Sequence, residues 1–285
     1  MERFEVPDAL AGEMYERLGV AVPSDLAGVG ELYRAWCEQV PFDSISKALA
    51  LRAGTLPPGG DPVEFCEQWL ATGLGGTCWG HVTGLAAILG HAGFDCHGGL
   101  DHLLGVDHVD FHAFVVVESG GRRWALDPIH GSGDPLPIEA GAAGVHPVYP
   151  VHFEADGRRV LHCYQSFHDG VLEPRRYAVL STDLDPAAVR AFCEIARTHG
   201  MRARSIYVRR FTPTEMIDAR PAEDGSALVV RHLSAAGAVE HRFTDPDAAF
   251  AALGYGSEAV VVAEQAGLID RSAGGAVRFV PRPAD

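Results

Sequence analysis

The segment Gly75-Gly76-Thr77-Cys78-Trp79 joins a glycine turn to the start of an apolar helix, and the rest of the chain can be interpreted from it. Two consecutive glycines permit a tight turn and a close approach of the backbone to a neighbour. Beyond the cysteine, apolar residues recur at the spacing of one helix face: Val82, Leu85, Ala86 and Leu89. Cys78 is therefore predicted at a helix N-terminus, where the dipole and free N–H groups favour a thiolate. It is either a nucleophile or, like most free cysteines, a small buried apolar residue.

The composition is that of an ordinary globular chain. It has 285 residues, of which 47% are hydrophobic and 21% charged, and a net charge of −15 argues against nucleic-acid binding. The six cysteines form no C-x-x-C pair, which argues against a zinc ribbon. No apolar run approaches the ~18 residues that span a bilayer, and the residues after Met1 do not resemble a signal peptide. We expect a reduced, cytoplasmic protein with no membrane or nucleic-acid partner.

One basic cluster departs from the acidic average. Arg202, Arg204, Arg209 and Arg210 lie close together in the sequence. A solvated face is the favoured interpretation, and a patch for a phosphate-bearing donor is the alternative.

The chain changes character along its length. Residues 1–93 are predicted to be helical and to carry the nucleophile, whereas strand-like segments and turns dominate from Phe94. Asp185-Pro186 and Asp245-Pro246 each have the residues of a helix N-cap followed by N1, so each is predicted to open a helix.

A hairpin brings two polar residues together. Residues 111–117 and 122–127 are predicted strands around a glycine turn. A two-residue loop at Ser119-Gly120 or at Gly120-Gly121 puts His112 and Asp127 on one face, whereas a three-residue loop without a bulge separates them. A histidine in an apolar strand needs a partner, and Asp127 can supply it. The pair is either catalytic or a satisfied core histidine.

Cys78, His112 and Asp127 have the residue types of a nucleophile, a base and an orienting carboxylate. Cysteine attacks an acyl carbonyl as the thiolate, histidine moves the proton, and aspartate fixes the imidazole tautomer. His81 is also near Cys78 in sequence. Its helical position predicts a neighbour on the solvent side or beside the first turn rather than the base.

The chain resembles the arylamine N-acetyltransferase family along nearly its whole length. The motifs that carry the resemblance are Tyr15–Gly19, Val40–Ile45, Gly75–Trp79, His112 in its strand, Leu126–Gly131, Pro135–Ile138 and Arg242–Gly254. The resemblance implies an α+β fold with a cysteine-protease- or transglutaminase-like core. It implies a helical bundle over residues 1–93, a β-barrel-like domain over 94–183 that carries His112 and Asp127, and an α/β lid over 184–285.

The same resemblance implies ping-pong acyl transfer. A thioester donor (acetyl-CoA, another acyl-CoA or a carrier protein) acylates Cys78, and an amine or hydrazine-type acceptor takes the acyl group. No bound cofactor and no metal are expected, since the thioester is a co-substrate.

Several positions depart from the family pattern. Leu74 replaces the arginine before the glycines, Asp43 replaces the glutamate after Pro-Phe, Gly80 replaces a glutamate, and His130 replaces a phenylalanine. These changes favour a biosynthetic branch, such as an amide synthase of natural-product biosynthesis, over a simple arylamine acetyltransferase. By resemblance, the substrate pocket is lined by Phe42, Trp79 and His130.

Three rival hypotheses remain. The same residue order fits a transglutaminase- or papain-like cysteine hydrolase, in which water takes the acyl group. A metal site would use His102, His108 and His112 with the aspartates at 101, 107 and 110, although the x₃ spacing of His108 and His112 suits a helix and not the predicted strand. A binding protein without catalysis would not need all three triad residues.

Overall fold

The structure is a computed structural model that describes residues 3–57, 59–106, 111–130, 133–168, 171–198, 205–271 and 277–281. Its helices are α1 (Asp8–Leu18), α2 (Leu26–Gln39), α3 (Ile45–Ala53), α4 (Pro62–Thr72), α5 (Cys78–His91), α6 (Pro186–Thr198), α7 (Pro246–Ala252) and α8 (Ser257–Gln265). Its strands are β1 (Phe42–Asp43), β2 (Asp95–Leu103), β3 (Phe111–Ser119), β4 (Arg122–Leu126), β5 (Leu136–Pro137), β6 (Ala143–Gly144), β7 (Val151–Asp156), β8 (Arg159–His168), β9 (Val171–Leu184), β10 (Val208–Phe211), β11 (Met216–Pro221), β12 (Leu228–Ser234), β13 (Gly237–Phe243), β14 (Ile269–Asp270) and β15 (Arg278–Phe279).

Helix α5 lies at the centre of the larger core. The sequence predicts one apolar face, but every residue from Trp79 to Leu89 is buried, because helices pack on one side and strands β2 and β3 on the other. Gly84 permits this packing, since a Cβ there would lie 2.5 Å from the Phe65 ring and 3.1 Å from Trp36. A helix buried on all sides holds its first residue, Cys78, in a fixed position.

An eight-stranded antiparallel, barrel-like sheet packs against α5, in the order β5-β4-β3-β2-β9-β8-β7-β6. Ser119 pairs with Arg122, so Gly120-Gly121 is the hairpin loop, the second of the two predicted registers. Both glycines have positive φ (60° and 73°), as a two-residue hairpin turn requires. The ladder ends at the pair Val115–Leu126, so Asp127 directly follows β4, and continuing the register outward puts it on the same face as His112.

A five-stranded antiparallel sheet forms the second layer, in the order β1-β10-β11-β12-β13. Its first strand comes from the N-terminal third, and Phe42 pairs with Arg209. A second hydrophobic core joins Ile45 and Ala48 of α3 to this sheet and to α7 and α8. Sheet and helices therefore confirm the α+β class, and the bounds of the three domains remain predictions.

The two predicted helix starts are confirmed. The Asp185 carboxylate accepts a hydrogen bond from the Ala188 N–H (2.8 Å), and Pro186 is the first residue of α6. Asp245 caps α7 in the same way, with Pro246 at its start. In the part of the chain described here, no helix combines the length and apolarity that crossing a bilayer requires.

Candidate active site

Cys78 is the first residue of α5, as predicted. Thr77 precedes it with an extended backbone (φ −94°, ψ 177°), so the chain enters the helix abruptly at the cysteine. Cys78 is partly exposed, whereas Cys37, Cys66 and Cys193 are buried, and all of them are free thiols. The helix N-terminus therefore offers its unpaired N–H groups to the one of these four thiols that a substrate can reach.

The glycine turn is held by the carboxylate of Asp43, which is fully buried. Its Oδ2 accepts hydrogen bonds from the N–H groups of Gly75 (2.8 Å) and Gly76 (3.1 Å), and its Oδ1 accepts one from the Ile45 N–H (3.0 Å). Backbone N–H groups thus supply the hydrogen-bond donors for the Asp43 carboxylate. An arginine at position 74 is not needed for this, which explains how Leu74 can precede the turn.

We expect Gly75→Ala to damage both stability and activity. A Cβ at this position would lie 2.0 Å from the Pro41 carbonyl oxygen, so the turn must move and carry Cys78 with it. The expected loss of stability is about 1–3 kcal/mol, the cost of overpacking a tight site. Thermal unfolding and the rate of Cys78 acylation measure the two effects. Gly12→Ala is the matched control, because nothing lies within 4 Å of a Cβ there and alanine favours a helix; equal effects of the two changes would contradict the explanation.

Asp43→Asn should destabilise the turn although the shape is kept. Both carboxylate oxygens accept backbone N–H bonds, so an amide nitrogen in either place would face a donor. The expected cost is about 1–3 kcal/mol for the lost acceptor. Urea unfolding measures this cost, and an unchanged midpoint would show that Asp43 does not hold the turn.

His112 connects Cys78 to Asp127. Its Nε2 lies 2.8 Å from Asp127 Oδ2, and the ring also interacts with the Cys78 side chain, for which Nδ1 remains. Burial lowers the pKa of His112, but the charge and hydrogen bond of Asp127, followed by the bond to Cys78, outweigh it and raise the pKa well above its usual value. Burial likewise raises the pKa of Asp127, and the charge and bond of His112 reverse this, so the net shift is downward. The pair therefore favours a protonated His112 ring next to the Cys78 sulfur.

Asp127 is fixed from three sides. The Tyr33 hydroxyl donates to the Asp127 carbonyl oxygen and accepts from the Asp127 N–H, both at 2.8 Å. Oδ1 accepts from the N–H groups of Ile129 (2.9 Å) and His130 (3.2 Å). Nothing in the sequence indicates this role for Tyr33, since it lies 94 residues away on α2 and has the apolar spacing of a core residue.

A second buried histidine–carboxylate pair lies behind the first. His162 Nδ1 is 3.2 Å from Asp101 Oδ2 and 3.8 Å from Asp127 Oδ2, and Asp101 lies directly opposite His112 in the β2–β3 pair. Burial raises the pKa of Asp101. This pair could not be predicted, because β8 reaches β2 only through β9 in the folded sheet.

The three predicted pocket residues lie in three different parts of the fold. The His130 ring stacks on Tyr164 (3.5 Å between centroids) and lies 4.7 Å from the His112 ring. Phe42 lies in strand β1 beside Arg209. The Trp79 ring stacks parallel to Phe192 of α6 (5.2 Å). Trp79 also lines a small cavity of about 10 Å³ together with Lys47, Pro57, Gly59, Thr77, Cys193 and Ala196. Their role as substrate contacts remains a prediction.

His81 does not lie on the solvent side, which corrects that part of the prediction. It is fully buried, its Nδ1 accepts from Trp36 Nε1 (3.0 Å), and its Nε2 lies 3.2 Å from the Pro41 carbonyl oxygen. Burial lowers its pKa to about 4. His81 is thus a neutral core histidine, because α5 is buried on all sides.

Only part of the predicted metal site lies within the described residues. Residues 107–110, which include His108 and two aspartates, lie outside the described residues, and Asp101 is bonded to His162. Potential ligand atoms of His112, Asp127 and His130 do lie within 4.8 Å of one another, but the first two are already bonded to each other.

The basic cluster is not a solvated face at Arg209, which corrects that interpretation. Arg209 is 3% exposed, and its Nη1 donates to the Ile129 carbonyl oxygen and to His130 Nδ1, both at 3.3 Å. Arg210 is half-buried on the opposite face and donates to the Leu253 carbonyl oxygen. Arg202 and Arg204 lie outside the described residues.

The fold is that of known enzymes. No protein-family model and no curated protein matches the sequence. Among solved structures, the arylamine N-acetyltransferase of M. tuberculosis is 17% identical, with 91% of this chain and 100% of that chain covered and a TM-score of 0.68. The Salmonella typhimurium enzyme is 14% identical (91% and 99% covered, TM-score 0.70), and the Mycobacterium marinum enzyme in complex with CoA is 15% identical (88% and 94% covered, TM-score 0.67). The chain therefore has the fold of the arylamine N-acetyltransferases over about nine-tenths of its length.

Proposed function

We propose that the protein is an acyltransferase that moves an acyl group from a thioester donor, through a Cys78 acyl-enzyme, to an amine or hydrazine-type acceptor. One observation carries the proposal. A partly exposed cysteine at a helix start interacts with a buried histidine, whose Nε2 lies 2.8 Å from a fixed carboxylate. That is the arrangement of an activated nucleophile.

The first half-reaction transfers the acyl group to the enzyme. The Cys78 thiolate attacks the thioester carbonyl, the C–S bond to the donor breaks, and the His112 imidazolium gives its proton to the departing thiolate. The raised pKa of His112 keeps that proton available at neutral pH. The orphan N–H groups of the first turn of α5 point toward the developing oxyanion.

The second half-reaction transfers the acyl group onward. The acceptor amine attacks the Cys78 thioester, His112 now takes the amine proton, and the Cys78 sulfur leaves as a thiolate. Asp127 stabilises the imidazolium that forms and keeps Nδ1 directed at the sulfur.

The donor and the acceptor are part of the proposal. The bound CoA in the structurally similar M. marinum enzyme supports an acyl-CoA donor, and a carrier-protein thioester is the second candidate. The polar His130 beside His112 supports an acceptor other than a simple arylamine, as in an amide synthase of natural-product biosynthesis.

Intact-protein mass spectrometry tests the proposal. The protein is incubated with acetyl-CoA, longer acyl-CoAs, an acyl carrier protein and a small thioester. We expect an acyl adduct that an added amine removes and that identifies the donor class. An adduct with the carrier protein alone would support the biosynthetic branch. No adduct with any thioester, together with hydrolysis of amides, would replace the proposal with a cysteine hydrolase.

A further inference from the structure

A row of charged side chains crosses the five-stranded sheet and ends beside the active site. Phe42, Arg209, Asp218 and Arg231 are successive cross-strand partners, so they share one face of β1, β10, β11 and β12. Asp218, Arg209 and Arg231 are all buried. Arg209 is the charged residue next to Phe42. It hydrogen-bonds Ile129 and His130, which follow Asp127 in the chain.

Asp218 is the one carboxylate among these four residues, and both of its oxygens are hydrogen-bonded to Arg231. Arg231 Nε and Nη2 donate to the two oxygens of Asp218, at 2.7 and 2.8 Å. Within the described ranges, no carboxylate lies within 4 Å of the Arg209 guanidinium, whose bonds go to a carbonyl oxygen and a ring nitrogen. Because arginine stays protonated in proteins, Arg209 is a buried positive charge whose neighbouring carboxylate, Asp218, is hydrogen-bonded to Arg231 instead.

Two buried donors near this charge have no acceptor. Arg209 Nε has no hydrogen-bond partner among the residues that the structure describes, and neither has His146 Nε2. His146 Nδ1 accepts the N–H groups of Val148 and Tyr149, so the ring proton is on Nε2. The His146 ring packs edge-on against Phe211 (5.2 Å between centroids), which lies two residues from Arg209 on the same face of β10. Burial and then the Arg209 charge lower the pKa of His146 to about 3. The region thus offers donors and a positive charge, which is what an anion requires.

We propose that Arg209, with His146, receives a carboxylate of a substrate, most directly of the acceptor amine. The inference rests on the proposed function and names its substrate class. The His130 ring lies between Arg209 and His112, so an acceptor of about one aromatic ring's length can bring its amine to His112 and its carboxylate to Arg209. A carboxylate on the acyl group is the other source of the same chemistry.

Single-turnover kinetics separate the two sources. Acetyl-enzyme, or the enzyme loaded with whichever thioester acylates Cys78, is mixed with 4-aminophenylacetate or with the uncharged 4-ethylaniline, and loss of the adduct is followed. We expect the carboxylate to react about tenfold faster or more, the effect of one charge-assisted hydrogen bond. The net charge of −15 acts against this preference, so it would have to come from a local cation. Succinyl-CoA against butyryl-CoA gives the same comparison for the acyl group.

Arg209→Met assigns the preference to the residue. We expect the ratio of the two rates to fall to within about threefold, since the charge-assisted bond is lost; the ratio is the readout, because Arg209 also bonds Ile129 and His130 and its loss can slow both acceptors. Arg210→Met, the next residue on the other face of β10, is the matched control and should keep the ratio. If Arg209→Met does not fold, Arg209→Lys replaces it, and it should show a reduced preference because the forked geometry is lost.

The outcomes distinguish this inference from the proposed function. A preference for succinyl-CoA alone would support the carboxylate site and place it on the acyl group. Acylation of Cys78 without any preference for a carboxylate, or an equal loss of rate for both acceptors in Arg209→Met, would overturn the inference and leave the acyltransferase standing. No acylation by any thioester would overturn both.

Discussion

Cys78→Ala is expected to abolish acyl transfer while the fold is kept. The proposed acyl-enzyme forms on the Cys78 sulfur. Without that sulfur, turnover should fall by about 10⁴-fold or more, as for the loss of other catalytic nucleophiles. The covalent adduct should be absent at any donor concentration. Because Cys78 is partly exposed and alanine favours helices, the free energy of unfolding should change by about 1 kcal/mol or less. Mass spectrometry, steady-state kinetics and thermal unfolding measure the three quantities.

Cys193→Ala is the matched control for this prediction. Cys193 is a buried cysteine that lines the same small cavity as Trp79 and donates to the Gly59 carbonyl oxygen. Burial raises its pKa to about 12, so it is a poor nucleophile at neutral pH. The control should keep both the adduct and the turnover. An adduct that persists in Cys78→Ala and disappears in Cys193→Ala would move the nucleophile to α6.

The parts of the site that the sequence predicts are those with local signals. The glycine pair, the apolar spacing and the position of Cys78 lie within 15 residues, and the structure has α5 starting at Cys78. The hairpin is also local, so counting outward from Gly120-Gly121 is sufficient to place His112 beside Asp127. Helix starts at Asp185 and Asp245 follow from capping chemistry alone.

The parts that escaped prediction depend on contacts between distant strands. Asp101 meets His162 across 61 residues, and Arg209 meets His130 across 79, so no spacing in the sequence indicates either pair. Charge misled the interpretation of Arg209, because an arginine in a basic cluster usually faces solvent. Periodicity misled the interpretation of His81, because a helix buried on every side has no solvent face.

Asp127→Asn should leave the fold intact and slow acylation by about 10²–10⁴-fold, the usual contribution of correctly oriented acid–base catalysis. The position of Oδ1 accepts two backbone N–H bonds, from Ile129 and His130. The amide oxygen of asparagine must take that place, which turns its NH₂ toward His112 Nε2. That nitrogen then becomes an acceptor, the ring proton moves to Nδ1, and neutral His112 can no longer take a proton from the Cys78 thiol or the acceptor amine.

The same change should move the alkaline limb of the pH profile to lower pH. The Asp127 carboxylate is what raises the pKa of His112 against the effect of burial, so its loss lowers that pKa. The imidazolium that protonates the departing thiol, and that stabilises the Cys78 thiolate, is then lost at a lower pH. Acylation rates and alkylation of Cys78 by iodoacetamide, both measured across pH, report this shift. Asp134→Asn is the matched control, since that carboxylate is exposed and its ion pair with Arg34 lies at the surface. A profile for Asp127→Asn that coincides with the wild-type profile would show that Asp127 orients nothing, and that the 2.8 Å contact belongs to a satisfied core histidine.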